Sequence, residues 1–304
     1  MSILVVGSVA LDTIATPFGS CEDELGGSAS YFSVAAGHFD KVQLVAVVGT
    51  DFPKKHIDFL GGRGIDVTGL QVAEGLTFRW QAEYGFELGG AKTISTCVNV
   101  FEHFHPVIPD QFKQSEYLFL ANIDPCLQLE VLDKVNGAKF VACDTMNFWI
   151  TRRREELLRT IERVNALILN DAEVRQLTGE PHLIKAAKWI LDLGPKIVII
   201  KKGEHGALLI TPEFKFAAPA YPVESLYDPT GAGDSFAGGF VGFLARCGEC
   251  CEDSLRLAVM YGTVMASFAV ERFGVRRLAE IDTFAILERL KELKKLSDFQ
   301  IEPV

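Results

Sequence analysis

No apolar run in the 304-residue chain approaches the roughly 20 residues that a membrane-spanning helix requires, so no membrane span is expected. Clustered positive charge is also missing. Thirty Lys and Arg face 40 Asp and Glu, a net charge of −10. Basic residues gather at Arg152-Arg153-Arg154, which reads as a single solvated turn rather than a surface that tracks phosphates, and no nucleic-acid partner is expected. The first residues, MSILVVG, lack the basic n-region of a secretion signal and read instead as a buried strand. Cysteine is unpaired: seven residues, an odd number, sit in apolar contexts such as Val141-Ala142-Cys143, which suits a reducing compartment, and the cytoplasm is expected. Cys247, Cys250 and Cys251 come nearest to a metal pattern, but no second pair and no histidines follow, so they are expected to pack at a helix end. Neither G-x-x-x-x-G-K-[ST] nor a G-x-G-x-x-G after the first strand occurs, which argues against a P-loop kinase or a dinucleotide dehydrogenase. The missing G-x-S-x-G elbow argues against an α/β hydrolase.

What is present is an ordinary globular composition, 48% hydrophobic and 23% charged. A chain of this length buries about three quarters of its unfolded surface without staples. Residues 2–7 form a continuous apolar run, as in a strand covered on both faces. The pattern predicts a helix at 28–38 with Ser28 as N-cap, a strand at 42–48, and a helix at 53–62 stopped by Gly61-Gly62. Strands follow at 117–121, 139–143, 166–169 and 196–201, with helices between them at 126–135, 152–163, 171–178 and 182–193. This alternation is that of βαβ units around a parallel sheet. After residue 218, helices are expected at 231–247, 252–271 and 282–295 with almost no strand between them. Two segments, 12–24 and 76–105, are Thr- and aromatic-rich, carry a Gly89-Gly90 turn, and read as antiparallel strands of a small inserted sheet. The expectation is one α/β domain over 1–304 with a β lid over a ligand crevice, and a homodimer through the lid's exposed strand edges.

The most informative stretch runs Asp228-Pro229-Thr230-Gly231-Ala232-Gly233-Asp234-Ser235-Phe236-Ala237-Gly238-Gly239-Phe240. Gly231, Ala232 and Gly233 bring bare amides to the start of a helix, which makes an anion site. A carboxylate placed there, Asp234, is either an ordinary cap or a general base that takes the proton of an attacking hydroxyl while the amides hold charge developing on a phosphoryl group. The full string favours the second reading. Asp12, just beyond the first strand, can hold two hydroxyls or serve only as a turn residue. Gly26-Gly27 admits a ligand close to backbone or simply makes a tight turn. Asn170 and Glu173 stand three apart at a helix start, as in a capping box. Lys201 ends an apolar strand, from which it reaches a triphosphate or merely solvates the strand end.

These residues resemble those of the ribokinase-like, or phosphofructokinase-B type, carbohydrate kinases. The 228–240 string matches that family's C-terminal signature, and Gly7-Ser8-Val9-Ala10-Leu11-Asp12, Gly26-Gly27-Ser28, Asn170-Asp171-Ala172-Glu173 and Lys201-Lys202-Gly203-Glu204-His205-Gly206 follow in its order, so the resemblance covers nearly the whole chain. It implies a three-layer α/β/α fold with a mostly parallel central sheet and a small β-sheet lid. It also implies ATP- and Mg²⁺-dependent phosphotransfer to a primary hydroxyl of a small carbohydrate-like substrate. On that resemblance Asp234 is the base and the Gly231, Ala232 and Gly233 amides form the anion hole. Asp12, Gly26, Gly27 and Ser28 lie on the acceptor side, with Asn147 of Asp144-Thr145-Met146-Asn147 facing substrate or phosphate. Asn170, Lys201, Gly203, Gly206 and Thr230 bind nucleotide, with Thr263 near the adenine. Glu173 orders Mg²⁺ through water, and Asp228 and Thr230, with segment 269–274, bind a monovalent cation such as K⁺. One position departs from the family: Tyr31 stands where an Asn usually follows the diglycine. With the lid aromatics Phe78, Trp80, Tyr84, Phe86, Phe101 and Phe104, this keeps a nucleoside acceptor open beside a sugar, although an aromatic stripe is more often core or dimer contact. His103 and His105 are expected as surface or packing residues. A non-catalytic sugar or nucleotide sensor on the same fold is the alternative of another class, and the retained Asp234 argues against it.

Overall fold

The computed structural model describes residues 1–298. Strand β1 (Ser2–Val6) leads into a hairpin of β2 (Ala10–Thr16) and β3 (Gly19–Gly26), then α1 (Ser28–Ala36), β4 (Lys41–Gly49), α2 (Lys54–Gly62) and β5 (Asp66–Ala73). A second hairpin, β6 (Arg79–Tyr84) and β7 (Ala91–Cys97), precedes β8 (Tyr117–Leu120), α3 (Pro125–Lys134) and β9 (Phe140–Asp144). Next come α4 (Asn147–Arg152), α5 (Arg154–Ile161), β10 (Ala166–Asn170), α6 (Asp171–Thr178), α7 (Leu183–Leu193) and β11 (Ile197–Lys201). The chain then makes β12 (Ala207–Ile210) and β13 (Lys215–Ala218), followed by α8 (Ala232–Cys247), α9 (Glu252–Ala269), α10 (Arg276–Glu280) and α11 (Thr283–Ser297).

Nine strands form one sheet in the order β13-β12-β11-β10-β9-β8-β1-β4-β5. All its neighbours pair in parallel except the β11–β12 and β12–β13 pairs. The apolar runs explain the layering, because period-two alternation sends successive residues to opposite faces. Ile3 and Val5 join a core with α1, α8 and α9, while Leu4 and Val6 join a second core with α3, α5, α6 and α7. Phe32 of α1 stacks on Phe119 of β8 with centroids 4.2 Å apart. Fully burying side chains of this kind stabilises by about 1.5–3 kcal/mol each. The result is a three-layer α/β/α body with all the parallel strands ending on one side.

At that side sits a four-stranded sheet in the order β3-β2-β6-β7. Each hairpin is antiparallel internally, and β2 and β6 join them in parallel. Its inner face carries Ile14, Ala82 and Tyr84, with Trp80 and Phe273 packed beside them.

Several expectations need correction. Ser28 is not the N-cap of α1: Gly27, at φ 90, occupies that place, and the Ser28 hydroxyl lies 3.1 Å from that of Ser8. The strands of 76–105 stop at Cys97, and Asn99–His103 forms a 3-10 turn beside β4. Phe78, Phe101 and Phe104 therefore stack in a row, at 5.6 and 5.4 Å, with Phe104 inside the second core. Half of the aromatic stripe is thus packing; of the rest, Tyr84 is buried and Phe86 is exposed. Cys247, Cys250 and Cys251 are exposed around the α8–α9 turn rather than packed. The strand β5, the β12–β13 hairpin, α4 and α10 lie outside the elements expected from sequence.

Candidate active site

The anion loop forms where Pro229 ends one segment and Gly231, at φ 73, caps the 16-residue α8. This left-handed conformation suits glycine, and a Cβ there would also strike the Tyr31 ring, standing 2.3 Å from its Cγ and Cδ1. The Ala232 amide donates to Pro229 O at 3.3 Å, so only part of it is free. Among the described residues the Gly231 and Gly233 amides make no backbone hydrogen bond outside the helix, and both stand at the positive end of α8. Asp234 follows in the first turn. Withdrawal from water, then the nearby Asp144, raise its pKa to about 7, against the pull of Lys201 and of its own amide.

The C-terminal ends of three strands converge beside it. Asp144 ends β9, Asn170 ends β10 and Lys201 ends β11. Lys201 Nζ donates to Asp144 Oδ2 at 2.9 Å, both side chains being largely buried. The same ammonium lies 2.9 Å from the place a Cβ on Gly233 would take, so glycine at 233 makes room for it. Burial alone would depress the Lys201 pKa; Asp144, Glu173 and Asp234 outweigh it and hold it above the ordinary value. Asn170 and Glu173 form a complete capping box: Asn170 Oδ1 accepts from the Glu173 amide at 2.8 Å, and Glu173 Oε2 accepts from the Asn170 amide at 2.7 Å. Burial first, then Asp144, raise the Glu173 pKa to about 7. Three carboxylates thus share one ammonium.

Asp12 faces this group from β2. It is 5% exposed, and burial raises its pKa to about 8, the Gly27 amide pulling it back while Asp228 and Asp234 add to the rise. A side chain on Gly26 would collide with the Asp12 carboxylate, and one on Gly27 would come within 2.5 Å of Ser8 O. Ser28 is spent on Ser8: its amide and hydroxyl both reach the Ser8 hydroxyl. Trp80 is the register partner of Asp12 across the β2–β6 pair, on the same face, and its indole N–H donates to Thr93 Oγ1 at 3.2 Å. On the other flank, Tyr227 and Asp228 amides donate to Val270 O at 2.8 and 3.3 Å, which brings the 227–230 and 269–274 segments together. Asp228 Oδ1 accepts from the Thr230 amide at 2.9 Å, while its buried Oδ2 makes no hydrogen bond of normal geometry.

A glycine-rich anion loop closed by a carboxylate, a lysine aimed at it and a buried aspartate opposite form a phosphotransfer arrangement. The family model for pfkB family carbohydrate kinases matches residues 2–282. The chain belongs to the pfkB family of carbohydrate kinases. It is 31% identical over 266 residues to cytidine kinase of Thermococcus kodakarensis, covering 85% of this chain and 94% of that one. It is 44% identical over 272 residues to aminoimidazole riboside kinase of Salmonella typhimurium, covering 84% of each. Its fold superposes on the crystal structure of Methanocaldococcus jannaschii nucleoside kinase with a TM-score of 0.77 at 23% identity, over 96% of this chain and 98% of that one. It is thus a ribokinase-like phosphotransferase acting on a hydroxyl group of a sugar or nucleoside.

Not every residue singled out in the sequence of this kinase meets at the site. Asn147 is exposed at the first turn of α4, three residues past the end of β9 at Asp144. The strand-end carboxylate beside the anion loop is Asp144, a position within the quoted Asp-Thr-Met-Asn block whose signal was its place at the end of an apolar run. Tyr31 is 2% exposed, with its ring on Gly231 rather than open to the crevice. Thr263 donates its hydroxyl to Val259 O inside α9 at 3.0 Å. Gly203 and Gly206 form the tight turn after Lys201, both at positive φ, with Lys202 N bonded to Gly206 O at 2.8 Å. His103 and His105 are exposed.

Proposed function

We propose that this kinase transfers the terminal phosphoryl group of ATP, with Mg²⁺, to the primary hydroxyl of a nucleoside, the small sheet acting as lid. The observation that carries the reading is the meeting of Asp234, the Gly231 and Gly233 amides and the Lys201 ammonium at the N-terminus of α8, across from Asp12. Asp12, with the Gly27 backbone, holds hydroxyls of the acceptor and turns its primary hydroxyl toward Asp234. As the hydroxyl oxygen attacks phosphorus, Asp234 accepts its proton, at a pKa suited to neutral pH. The two amides, the α8 dipole and Lys201 hold the negative charge of the phosphoryl oxygens in place. Seating of the small sheet excludes water that would otherwise take the phosphoryl group.

The donor set suits a hard divalent cation. Among the described residues no three carboxylates cluster closely enough to cage a metal, so the cation would keep much of its water, as Mg²⁺ does, and the capping box uses only one Glu173 oxygen. Asn170 and Glu173 would hold Mg²⁺ through water; when bound it neutralises charge between the phosphates. Asp228 Oδ2, buried without a hydrogen bond of normal geometry and drawing only on the nearby Gly274 amide, likewise suits a monovalent cation such as K⁺. The free cysteines among the described residues suit the cytoplasm, where ATP is supplied.

A nucleoside is favoured over a free sugar by Trp80. A ribose gripped by Asp12 extends its base along the face that Trp80 shares, and Thr93 fixes the indole plane. Cytidine and aminoimidazole riboside, for which the relatives are named, both join a ribose to a flat ring. The test is ADP release with Mg-ATP over nucleosides, pentoses, hexoses and sugar phosphates, with Asp234→Asn as control. The expected result is a nucleoside-dependent signal that falls roughly 10²–10⁴-fold in the variant while nucleotide binding persists. Undiminished activity in the variant refutes the base, and turnover confined to free sugars refutes the nucleoside.

A further inference from the structure

The small sheet does more than cover the crevice: it is fastened to the loops that carry the anion site. Thr16 Oγ1 donates to Tyr227 O at 2.9 Å, Glu24 pairs with Arg276, and the Phe273 ring lies 3.3 Å from where a Cβ on Gly19 would stand. One fastening is of a different kind. Tyr84, at the end of β6, places its hydroxyl 3.1 Å from Thr230 Oγ1, and both residues are 8% exposed. Thr230 immediately precedes Gly231, and its amide is already tied to Asp228 Oδ1 at 2.9 Å. The loop is therefore held from below by Asp228 and from above by Tyr84. The phenol is the only side chain of the small sheet, among the hydrogen bonds of the described residues, that reaches the 229–233 loop.

We infer that Tyr84 is a positioning residue, through which seating of the small sheet sets the Thr230–Gly233 loop in the geometry that receives the phosphoryl group. It rests on the kinase reading of the site. Tyr84 touches no substrate in this scheme: it acts through Thr230. With the sheet seated, the loop is braced on two sides and its amides converge. With the sheet lifted, the brace is lost, and the anion site slackens at the moment when water could enter. Transfer is thus tied to closure by one buried hydroxyl pair.

The experiment is a double-mutant cycle on Tyr84→Phe and Thr230→Val, each of which removes one hydroxyl and keeps the bulk. Tyr84→Phe should lower kcat about 5- to 20-fold, leave KM for nucleotide and acceptor within about twofold, and keep the Tm close to wild type. The double variant should be no slower than the slower single variant, and Thr230→Ser, which keeps a hydroxyl, should recover most of the rate lost in Thr230→Val. Additive losses, or a Tm drop in Tyr84→Phe with kcat unchanged, overturn the assignment in favour of plain packing. A second readout needs no turnover: amide hydrogen exchange at 230–233 in the ligand-free protein should quicken in Tyr84→Phe relative to wild type. Unchanged exchange overturns the brace even if the acceptor is never found, whereas quickened exchange in a protein inactive on every acceptor condemns only the kinase reading.

Discussion

Replacing Asp12 with Asn should make the ligand-free protein more stable while removing its hold on the acceptor. The carboxyl titrates near 8 in the fold against an ordinary 3.8, because burial disfavours its charged form and Asp228 and Asp234 add repulsion. Between those two values the folded chain keeps a proton that the unfolded chain has released, so stability falls as pH rises through that window. Each pH unit costs about 1.4 kcal/mol, which amounts to on the order of 3 kcal/mol between pH 6 and pH 8. Asparagine has the same shape, still accepts from the Gly27 amide, and does not titrate. The variant should therefore melt about 4–8 °C above wild type at pH 8, with the gap narrowing towards pH 6. Thermal melts across that range read the effect, and kinetics on the same samples should show acceptor kcat/KM down by roughly 10- to 10²-fold, because an amide cannot reproduce the carboxyl's hydrogen bonds to the acceptor hydroxyls. A variant that melts below wild type at pH 8, or a gap that does not change with pH, would refute the burial argument.

Gly233→Ala should push the Lys201 ammonium, now 2.9 Å from the added methyl, off its station beside the anion loop. The expected result is a roughly 10- to 100-fold lower kcat with a Tm within a few degrees, and an unchanged kcat would place the ammonium elsewhere during turnover. The pH dependence of kcat/KM for nucleotide should show an acid limb near 7, falling about tenfold per unit below it, because Asp234 must be ionised to accept a proton. A profile flat down to pH 5 would show that the base is another group.

The central sheet is legible because strands buried on both faces are written as apolar runs, so β1, β4 and β8 through β11 stand out. The edge strand β5 is not, since Asp66, Thr68 and Gln71 dilute its pattern at the half-solvated rim. The anion loop is legible for a similar reason: a backbone cradle needs contiguous residues. The Asp144–Lys201 pair is invisible to that logic. The two residues lie 57 positions apart on β9 and β11, and only the lateral order of the strands, with β10 between them, makes them neighbours. Tyr31 marks another limit. Its distance from the diglycine suggests a side chain facing substrate, yet packing of α1 against α8 turns the ring onto Gly231.

The crowding of Asp144, Glu173 and Asp234 around one ammonium has a consequence for anyone engineering this protein. On the roles proposed for Glu173 and Asp234, stability and chemistry pull in opposite directions there, and neutral isosteres should relieve the burial of charge while slowing transfer. A library sorted only for heat resistance would enrich dead enzymes, with substitutions clustered in the crevice. Read the other way, that enrichment is a map: positions where random replacement raises the melting temperature outline the catalytic centre without any substrate in hand.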